Sequence, residues 1–379
     1  MRILFAASTL DEMAGGLPVC VSQLAAALAD AGHTVTIAGQ ATSDVQVDPS
    51  VLSLQPRVQI HRVRRAWSMT GQAAAAIDLH RFVTHWATCG VAESEQVVHI
   101  HGVWAPAIMA AAEAALSSES RVVISPHGMM MREALQKSAL VKQFAWNACV
   151  RRHLSTADAV HVTSRKEAAD LACLLPQLAS TQVPWGVPLA SARKWIGGRD
   201  SQRVASFLGR MIPLKGTELL IDAWAMLNPG GWVLNLVGPS DSRTKQALAN
   251  RIRTLRMEDR IRLLPPISAA ERETFWEGTD LLVLPSRSEN FGLVAGEALA
   301  AAVPVVTTTA TAWTDVERIG CGWCVSPSLE SLVDGLRVAT VQSQSTLAFM
   351  GAKGRQWIEQ DFSWRRIAER FVRELYASE

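Results

Sequence analysis

The sequence lacks long apolar runs, a large charge excess and a cysteine framework. No segment reaches the ~18 consecutive apolar residues that a membrane-spanning helix needs, and the opening MRILFAAST is typical of a buried strand rather than a signal peptide. The formal net charge is only +2, whereas nucleic-acid-binding proteins usually carry a strong basic excess. Six scattered cysteines in 379 residues indicate reduced thiols. These absences predict a cytoplasmic protein without a nucleic-acid partner.

Familiar nucleotide and metal signatures are missing as well. The chain has no G-x-G-x-x-G turn, no Walker P-loop and no D-x-D segment, so neither a dinucleotide cofactor nor a metal is favoured. Cys321 and Cys324 have C-x-x-C spacing, but they lie in a Gly-rich turn that runs into a strand and not at a helix start. No second pair completes a zinc site. We interpret them as packing cysteines, with redox chemistry as the alternative.

The sequence instead alternates short apolar runs with amphipathic helical segments. Continuous apolar runs are typical of strands buried on both faces of a parallel sheet, and their alternation with helices indicates βαβ units. The predicted strands are 2–8, 34–39, 58–63, 97–102, 121–128, 159–164, 204–209, 232–238, 261–267, 281–286 and 304–309. Helices are predicted at 17–32, 133–153, 219–227, 293–302 and 363–376.

The alternation is interrupted once, by the polar segment 187–202, which we interpret as a linker. We therefore predict an α/β protein of two doubly wound, Rossmann-like domains, 1–186 and 203–362, followed by a last helix in 363–379. Ligands of such sheets bind at the carboxyl ends of the strands. With two such domains, we expect the site in the cleft between them.

Two loops have the composition of an anion site. Gly15 and Gly16 separate the first strand from a helix, where backbone N–H groups favour negative charge. Arg210 and Lys215 follow the first strand of the second domain, beside Gly209, and a guanidinium and an ammonium can clamp a diphosphate. An ordinary glycine turn and two solvated loop charges are the alternatives.

The segment SRSENFGLVAGEALA, residues 286–300, contains two glutamates, Glu289 and Glu297. A carboxylate pair is the usual equipment of glycoside hydrolysis. Here Glu289 is predicted on the loop after a strand and Glu297 inside the next helix, so the two cannot share a helical face. A buried glutamate needs a strong partner such as a pair of sugar hydroxyls or a cation.

These segments together resemble the retaining glycosyltransferases of the GT-B fold, family GT4 (glycosyltransferase group 1). The resemblance rests on the early Gly-Gly, on G-R-x4-K-G and on E-N-F-G-x4-E, and it runs over nearly the whole chain. SPHGMM, HGVW and DFSW are similar to segments of the subgroup that builds bacterial surface polysaccharides, including lipopolysaccharide. The resemblance implies a last helix that crosses back to the first domain.

The resemblance also implies site residues. Arg210 and Lys215 would hold the donor diphosphate, which Gly16 would approach, while Glu297 would bind the ribose and Glu289 the donor sugar. His127 would lie near that sugar. The implied donor site further includes Gly15, Gly209, Asn290, Phe291, Gly292 and Leu293, and His101 and Trp104 are candidate acceptor contacts. The family commonly has glycine at Ala302, a mild change, and asparagine at Trp185.

The implied reaction transfers a hexosyl group from a nucleotide diphosphate sugar to a saccharide or polyprenyl-linked acceptor, with retention and without a protein nucleophile. Cations and helix N-termini can stabilise the leaving group without a metal. No cofactor is expected, and a UDP-sugar is favoured over a GDP-sugar as co-substrate. The alternatives are a sugar phosphorylase, a sucrose- or trehalose-type enzyme, a non-catalytic subunit of glycan assembly and a two-carboxylate hydrolase.

Two further features have alternative interpretations. The loop 61–75 and the helix 133–153 each carry several cations and one tryptophan, a composition that can hold a cytoplasmic protein against the inner face of a membrane. An ordinary solvated surface is slightly favoured for the helix. His99 and His101 share a strand face, where hydrogen-bonding groups near the site are favoured over a metal site.

Overall fold

The structure is a computed structural model that describes residues 1–11, 16–41, 51, 53–54, 57–64, 68–89, 96–189 and 202–377. Gly15 and residues 190–201 of the predicted linker lie outside the described residues. The chain divides into two compact units, here called unit 1 (Met1–Gly186 with Trp364–Glu379) and unit 2 (Val187–Ser363).

Unit 1 is built on a parallel sheet of seven strands. The strands are β1 Arg2–Ala7, β2 Thr34–Ala41, β3 Gln59–Arg64, β4 Gln96–His101, β5 Arg121–Ser125, β6 Ala159–Val162 and β7 Thr181–Gln182. Their order is β3-β2-β1-β4-β5-β6-β7, and every pair is parallel. All six residues of β4 are buried, as expected for a central strand covered on both faces. The two-residue β7 was not predicted.

The helices of unit 1 connect these strands. They are α1 Gly16–Asp30, α2 Met69–Thr88, α3 Pro106–Leu116, α4 Arg132–Leu135, α5 Ala139–Ala145, α6 Arg151–Thr156 and α7 Arg165–Leu174. Among the described residues, no helix is both long and apolar enough to cross a membrane.

The prediction of one continuous helix over 133–153 was wrong. The structure has two separate short helices, α4 and α5, and then a π-helical turn at Trp146–Val150 that leads into α6. Ser138, between α4 and α5, has a φ of 53° in the left-handed region, which a right-handed helix cannot pass through. The amphipathic pattern is therefore divided between two helical segments, which are separated at residues 136–138.

Unit 2 is built on a parallel sheet of six strands. The strands are β8 Arg203–Leu208, β9 Trp232–Val237, β10 Ile261–Leu264, β11 Leu281–Leu284, β12 Val305–Thr308 and β13 Gly322–Val325. Their order is β10-β9-β8-β11-β12-β13. The chain order reverses at β8, which lies between β9 and β11, and such a switch point is where ligands of doubly wound sheets bind. The loops after β8 and β11 are neighbours there.

The helices of unit 2 cover its sheet. They are α8 Thr217–Leu227, α9 Ser242–Thr254, α10 Arg272–Glu277, α11 Leu293–Ala300, α12 Val316–Ile319, α13 Leu329–Thr340 and α14 Gln344–Asp361. Trp224 and Trp232 are 0% and 2% exposed, so both belong to the core. Ala302 has a φ of 60°, where a residue other than glycine costs about 1–2 kcal/mol. The change from glycine at this position is therefore less mild than expected.

The carboxyl-terminal segment belongs to unit 1. Helix α15 (Trp364–Phe371) continues as a π-helical turn at Val372–Tyr376, and α15 packs on α1. Phe371, Leu375 and Tyr376 are buried, and Arg121 Nε donates to the carbonyl of Leu375 at 2.7 Å. The prediction that the last helix crosses back to the first domain is confirmed.

Candidate functional site

Three loops of unit 2 meet in backbone contact at the switch point. A Cβ on Gly238, after β9, would lie 2.0 Å from the carbonyl oxygen of Gly209, after β8. A Cβ on Gly216 would lie 2.2 Å from the carbonyl oxygen of Pro285, after β11. Arg287 N also donates to the carbonyl of Leu214 at 2.8 Å. The glycines therefore bring the predicted diphosphate loop against the loop that carries Glu289.

This approach places Lys215 beside Glu289. Lys215 closes the 3₁₀ turn Pro213–Lys215, and its Nζ forms an ion pair with the Glu289 carboxylate. The side chains are 21% and 14% exposed, so the pair is shielded but open on one side. Arg210, five residues earlier, is exposed. The structure therefore brings two of the predicted catalytic residues into contact, through a pairing that the sequence had not predicted.

Helix α11 begins directly after the Glu289 loop. Gly292 has a φ of 77°, and Leu293 is the first helical residue, as predicted. The carbonyl of Gly292 accepts from Trp313 Nε1 at 2.9 Å, and the buried ring of Phe291 lies 5.1 Å from the Trp313 ring. The first turn of a helix offers unpaired N–H groups to an anion. Trp313, which was not predicted from the sequence, therefore holds the start of α11 through Gly292 and Phe291.

Glu297 lies on α11 and has a different cation. Its carboxylate pairs with Arg272, the first residue of α10, and the Glu297 side chain is 12% exposed. Burial raises the pKa of Glu297, and the adjacent guanidinium opposes that rise. Each of the two glutamates thus pairs with a cation of its own, which disfavours an acid–base pair for hydrolysis. Arg272 was missed, because nothing in its local sequence distinguishes it from a solvated charge.

In unit 1, His127 follows β5 in a constrained turn. Its φ is 54°, an unusual value for a residue with a side chain. The buried carboxylate of Glu167 accepts from Gly128 N and, at 2.9 Å, from Thr163 N. Glu167 therefore fixes the turn that carries His127. The sequence analysis missed it, and the signal for it was the helix-capping pattern S-x-x-E at residues 164–167.

The ring of His127 has two further neighbours. Nε2 of His127 lies 2.9 Å from Nδ1 of His101, and the two rings are stacked with their centroids 5.1 Å apart. The Trp185 ring stacks on His127 at 5.3 Å and is buried. The tryptophan at the position where the resembled family commonly has asparagine is thus a wall of the His127 site.

A hydrogen-bonded chain of side chains lies next to His101 and His127. The carbonyl of Val183 accepts from His161 Nε2 at 2.7 Å, so Nδ1 of that neutral ring accepts from the Ser125 hydroxyl at 2.6 Å. Ser125 Oγ then accepts from His99 Nε2 at 2.6 Å, and His99 Nδ1 accepts from the Tyr376 hydroxyl at 2.8 Å. Burial lowers the pKa of His161 to about 4 and that of His99 well below 6.5. The chain joins the carboxyl-terminal turn to the centre of the sheet.

The remaining predicted residues lie as follows. His101 is fully buried at the end of β4. Trp104 donates its indole N–H to the Met129 carbonyl at 3.1 Å and is half-buried. Gly16 is the exposed first residue of α1. Burial raises the pKa of Cys321 to about 12 and that of Cys324 to about 11, the opposite of what a redox pair requires.

Comparison with known families assigns the two halves of the chain. The family "Glycosyl transferases group 1" matches residues 202–339, and the "Glycosyl transferase 4-like domain" matches residues 15–184. The D-inositol 3-phosphate glycosyltransferase of Mycolicibacterium vanbaalenii is 30% identical over an alignment of 330 positions, gaps included, that covers 77% of this chain and 70% of that protein. The chain belongs to the group 1 glycosyltransferase family.

Other relatives match over shorter segments. The D-inositol 3-phosphate glycosyltransferase of Kineococcus radiotolerans is 39% identical over an alignment of 142 positions, gaps included, that covers 33% of this chain and 33% of that protein. For the corresponding protein of Mycolicibacterium smegmatis the match is 41% identical and covers 31% of this chain and 27% of the relative. These matches span about a third or less of the relatives' length.

Solved structures share the fold at low identity. Sucrose-phosphate synthase from Thermosynechococcus elongatus has a TM-score of 0.79 and 21% identity, with all of both chains covered. Anabaena HepE, in complex with UDP and glucose, has a TM-score of 0.76 and 18% identity, also with full coverage. The prediction of a GT-B glycosyltransferase fold with two Rossmann-like domains is confirmed.

Proposed function

We propose that this protein is a retaining glycosyltransferase that transfers a hexosyl group from a UDP-sugar to a saccharide or lipid-linked saccharide. The observation that carries the proposal is the convergence of Lys215, Glu289 and the start of α11 at the switch point of unit 2. Family membership supports it. So do relatives named as glycosyltransferases and a structural neighbour described with UDP and glucose.

The leaving group explains why cations gather at this point. As the bond between the sugar C1 and the diphosphate breaks, negative charge grows on the phosphate oxygens. Arg210, Lys215 and the N–H groups of α11 supply positive charge that is already in place, without a metal ion. The acceptor hydroxyl attacks from the leaving-group side, and a phosphate oxygen takes its proton, which retains the configuration at C1.

The paired carboxylates have separate tasks in this proposal. Glu289 binds donor-sugar hydroxyls, and its ion pair positions Lys215 to contact the diphosphate. Glu297 binds the ribose hydroxyls. Two neighbouring sugar hydroxyls can donate to the two oxygens of one carboxylate, so both contacts favour a polyol.

Turnover of nucleotide sugars tests this function. The full chain should release UDP from a UDP-hexose, and should do so faster when the right acceptor is present, with GDP- and ADP-hexoses as the comparison donors. Acceptors should include inositol phosphate, hexose phosphates and polyprenyl-linked saccharides, and NMR of the product should show the donor's anomeric configuration. Release of sugar 1-phosphate from a saccharide and inorganic phosphate, without any nucleotide sugar, would instead indicate a phosphorylase. An inverted product would contradict retention.

We also propose peripheral contact with anionic membranes through helix α5. Leu140, Val141 and Phe144 are 88%, 71% and 77% exposed, and these side chains lie on a helix of only seven residues. Lys137 is exposed just before the helix. Apolar side chains beside cations are typical of segments that rest in the headgroup region of anionic lipid. Exposed apolar side chains thus accompany the basic residues that suggested membrane contact.

Vesicle flotation tests this contact. Wild type should float with vesicles that contain phosphatidylglycerol and less with neutral vesicles. Leu140→Ser with Phe144→Ser should lower the partition coefficient about tenfold or more, because two large apolar groups no longer insert. Met226→Ser with Phe349→Ser is the matched control, since these residues are 66% and 63% exposed in unit 2. Equal flotation of the two double variants would refute the α5 assignment.

A further inference from the structure

The carboxylate of Glu297 is paired on one oxygen and open on the other. Arg272 Nη1 donates to its Oε2, whereas Oε1 has no hydrogen-bond partner within the described part of the chain. Oε1 is not one of the fully buried polar atoms that lack a partner, although the Glu297 side chain is only 12% exposed. The structure thus leaves one oxygen of a largely buried carboxylate accessible to a ligand.

The backbone before α10 sets the position of Arg272. Arg272 is the first residue of that helix, and it follows a 3₁₀ turn that is closed by a capping box. In this box the Glu271 carboxylate accepts from the backbone N–H and from the hydroxyl of Ser268, both at 2.7 Å. The Arg272 side chain is 43% exposed, so its replacement opens no cavity in the core.

Arg272 is the charged side chain that acts on Glu297. Burial raises the pKa of Glu297, and Arg272 opposes that rise through its charge and its hydrogen bond. Within the described part of the chain, Glu297 has no second ion pair. A buried carboxyl that loses its paired cation takes up a proton at higher pH, because its charged form is no longer stabilised.

The elements around α11 carry other charges that do not bond to Glu297. The strands β11 and β12 have no charged residue. The charged residues nearby in the fold are Glu273 and Glu277 on α10, Arg287 and Glu289 before α11, and Lys353, Arg355, Glu359 and Asp361 on α14. Of these, Glu289 pairs with Lys215, and Arg355 donates to the carbonyl of Ala300 at 2.6 Å and pairs with Glu359.

We propose that Arg272 is a positioning residue of the ribose site, which keeps the Glu297 carboxylate ionised and oriented so that both of its oxygens accept from ribose hydroxyls. The inference rests on the ribose role that the proposed function gives to Glu297. Oε1 is open, and Oε2 can accept from a hydroxyl in addition to Arg272, since each carboxylate oxygen has two lone pairs. A protonated Glu297 carries a hydrogen on one oxygen and accepts less well. Arg272 thus acts on the nucleotide through Glu297.

Calorimetric titration with UDP and 2′,3′-dideoxy-UDP isolates the contribution of the ribose hydroxyls. The ratio of the two dissociation constants cancels the titration of the diphosphate, which both ligands share. At about pH 6, we expect Arg272→Met to reduce the preference for UDP about tenfold relative to wild type, and Arg272→Lys to recover most of this loss because it keeps the charge. Arg251→Met is the matched control, since Arg251 is also 43% exposed and pairs with Asp222 in unit 2.

The pH dependence separates this role from a merely structural one. The preference for UDP should fall as pH falls through the pKa of Glu297, because the ionised form accepts from both hydroxyls. In Arg272→Met the fall should occur at higher pH than in wild type, since burial then acts on Glu297 without the opposing cation. Carbon NMR of carboxyl-labelled glutamate titrates Glu297 without any nucleotide, and its signal is assigned by its loss in Glu297→Gln.

The outcomes distinguish the inference from the proposed function. Titration of Glu297 at the same pH in Arg272→Met and wild type, or an unchanged preference of Arg272→Met for UDP, would overturn the inference. Tighter UDP binding by Arg272→Met would do the same, because Arg272 would then occupy the ribose site. Equal affinity of wild type for the two ligands would refute the ribose role of Glu297 and the inference with it. A wild-type chain that binds no UDP would refute the proposed function, whereas the carboxyl titration would still decide whether Arg272 keeps Glu297 ionised.

Discussion

Lys215→Ala should lower kcat/KM for a UDP-sugar about 10²–10³-fold, the loss expected when one preorganised donor to a developing anion is removed. Lys215 is held at the switch point by the turn Pro213–Lys215 and by its ion pair with Glu289. Most of its attraction to the diphosphate grows as the leaving group forms, so kcat should fall more than KM rises.

Steady-state kinetics test this prediction by comparing kcat/KM of Lys215→Ala with that of the control variant Arg253→Ala. Arg253 is an exposed cation near the far end of α9, away from the carboxyl ends of the strands. Its removal changes the net charge by the same amount as Lys215→Ala. If the two variants have kcat/KM within about twofold of one another, Lys215 does not stabilise the transition state.

Phe371→Ala should lower the free energy of unfolding of unit 1 by about 3–5 kcal/mol, the range for truncating a buried phenylalanine. Phe371 is 0% exposed, and its ring centroid lies 4.7 Å from that of His161 and 6.1 Å from that of Trp185. The variant therefore creates a cavity between the last helix and the histidine cluster, in addition to losing apolar burial.

Hydrogen exchange read by mass spectrometry measures this loss within unit 1. Peptides that cover β4 and β5 should exchange about 10²-fold faster or more, if they open with the whole unit. Peptides of β8 and β9 provide an internal reference in unit 2. Phe349→Ala, at a residue 63% exposed, should change stability by less than about 0.5 kcal/mol. Unchanged exchange of β4 in Phe371→Ala would show that the last helix does not stabilise unit 1.

The fold was predictable because the pattern of each strand is local. Buried parallel strands need continuous apolar runs, and these appear in the sequence at most of the long strands, although β3 (QIHRVR) has none. The helix predicted over 133–153 was wrong because the left-handed backbone at Ser138 leaves no mark in the apolar pattern. The strand β7 was missed because two residues make no pattern at all.

The site was predictable only in part, for a physical reason. Lys215 and Glu289 were found because each belongs to a segment with recognisable composition, yet their ion pair joins residues 74 positions apart. Arg272 and Tyr376 gain their roles from partners 25 and 277 positions away. Nothing in their own surroundings in the sequence shows what the fold places against them. Contacts of this kind form only in the folded chain, so local sequence patterns do not predict them.

The central claim is that the switch point of unit 2 binds a nucleoside diphosphate through its cations, while Glu289 serves the sugar. Calorimetric titration of UDP into wild type, Arg210→Ala and Glu289→Gln tests it most directly. We predict that wild type binds UDP, that Arg210→Ala binds at least about tenfold more weakly, and that Glu289→Gln binds about as well as wild type, because the turn Pro213–Lys215 still positions Lys215 and the glutamine amide oxygen can still accept from its ammonium. Absence of UDP binding by wild type, or loss of UDP binding in Glu289→Gln with Arg210→Ala unaffected, would contradict the account.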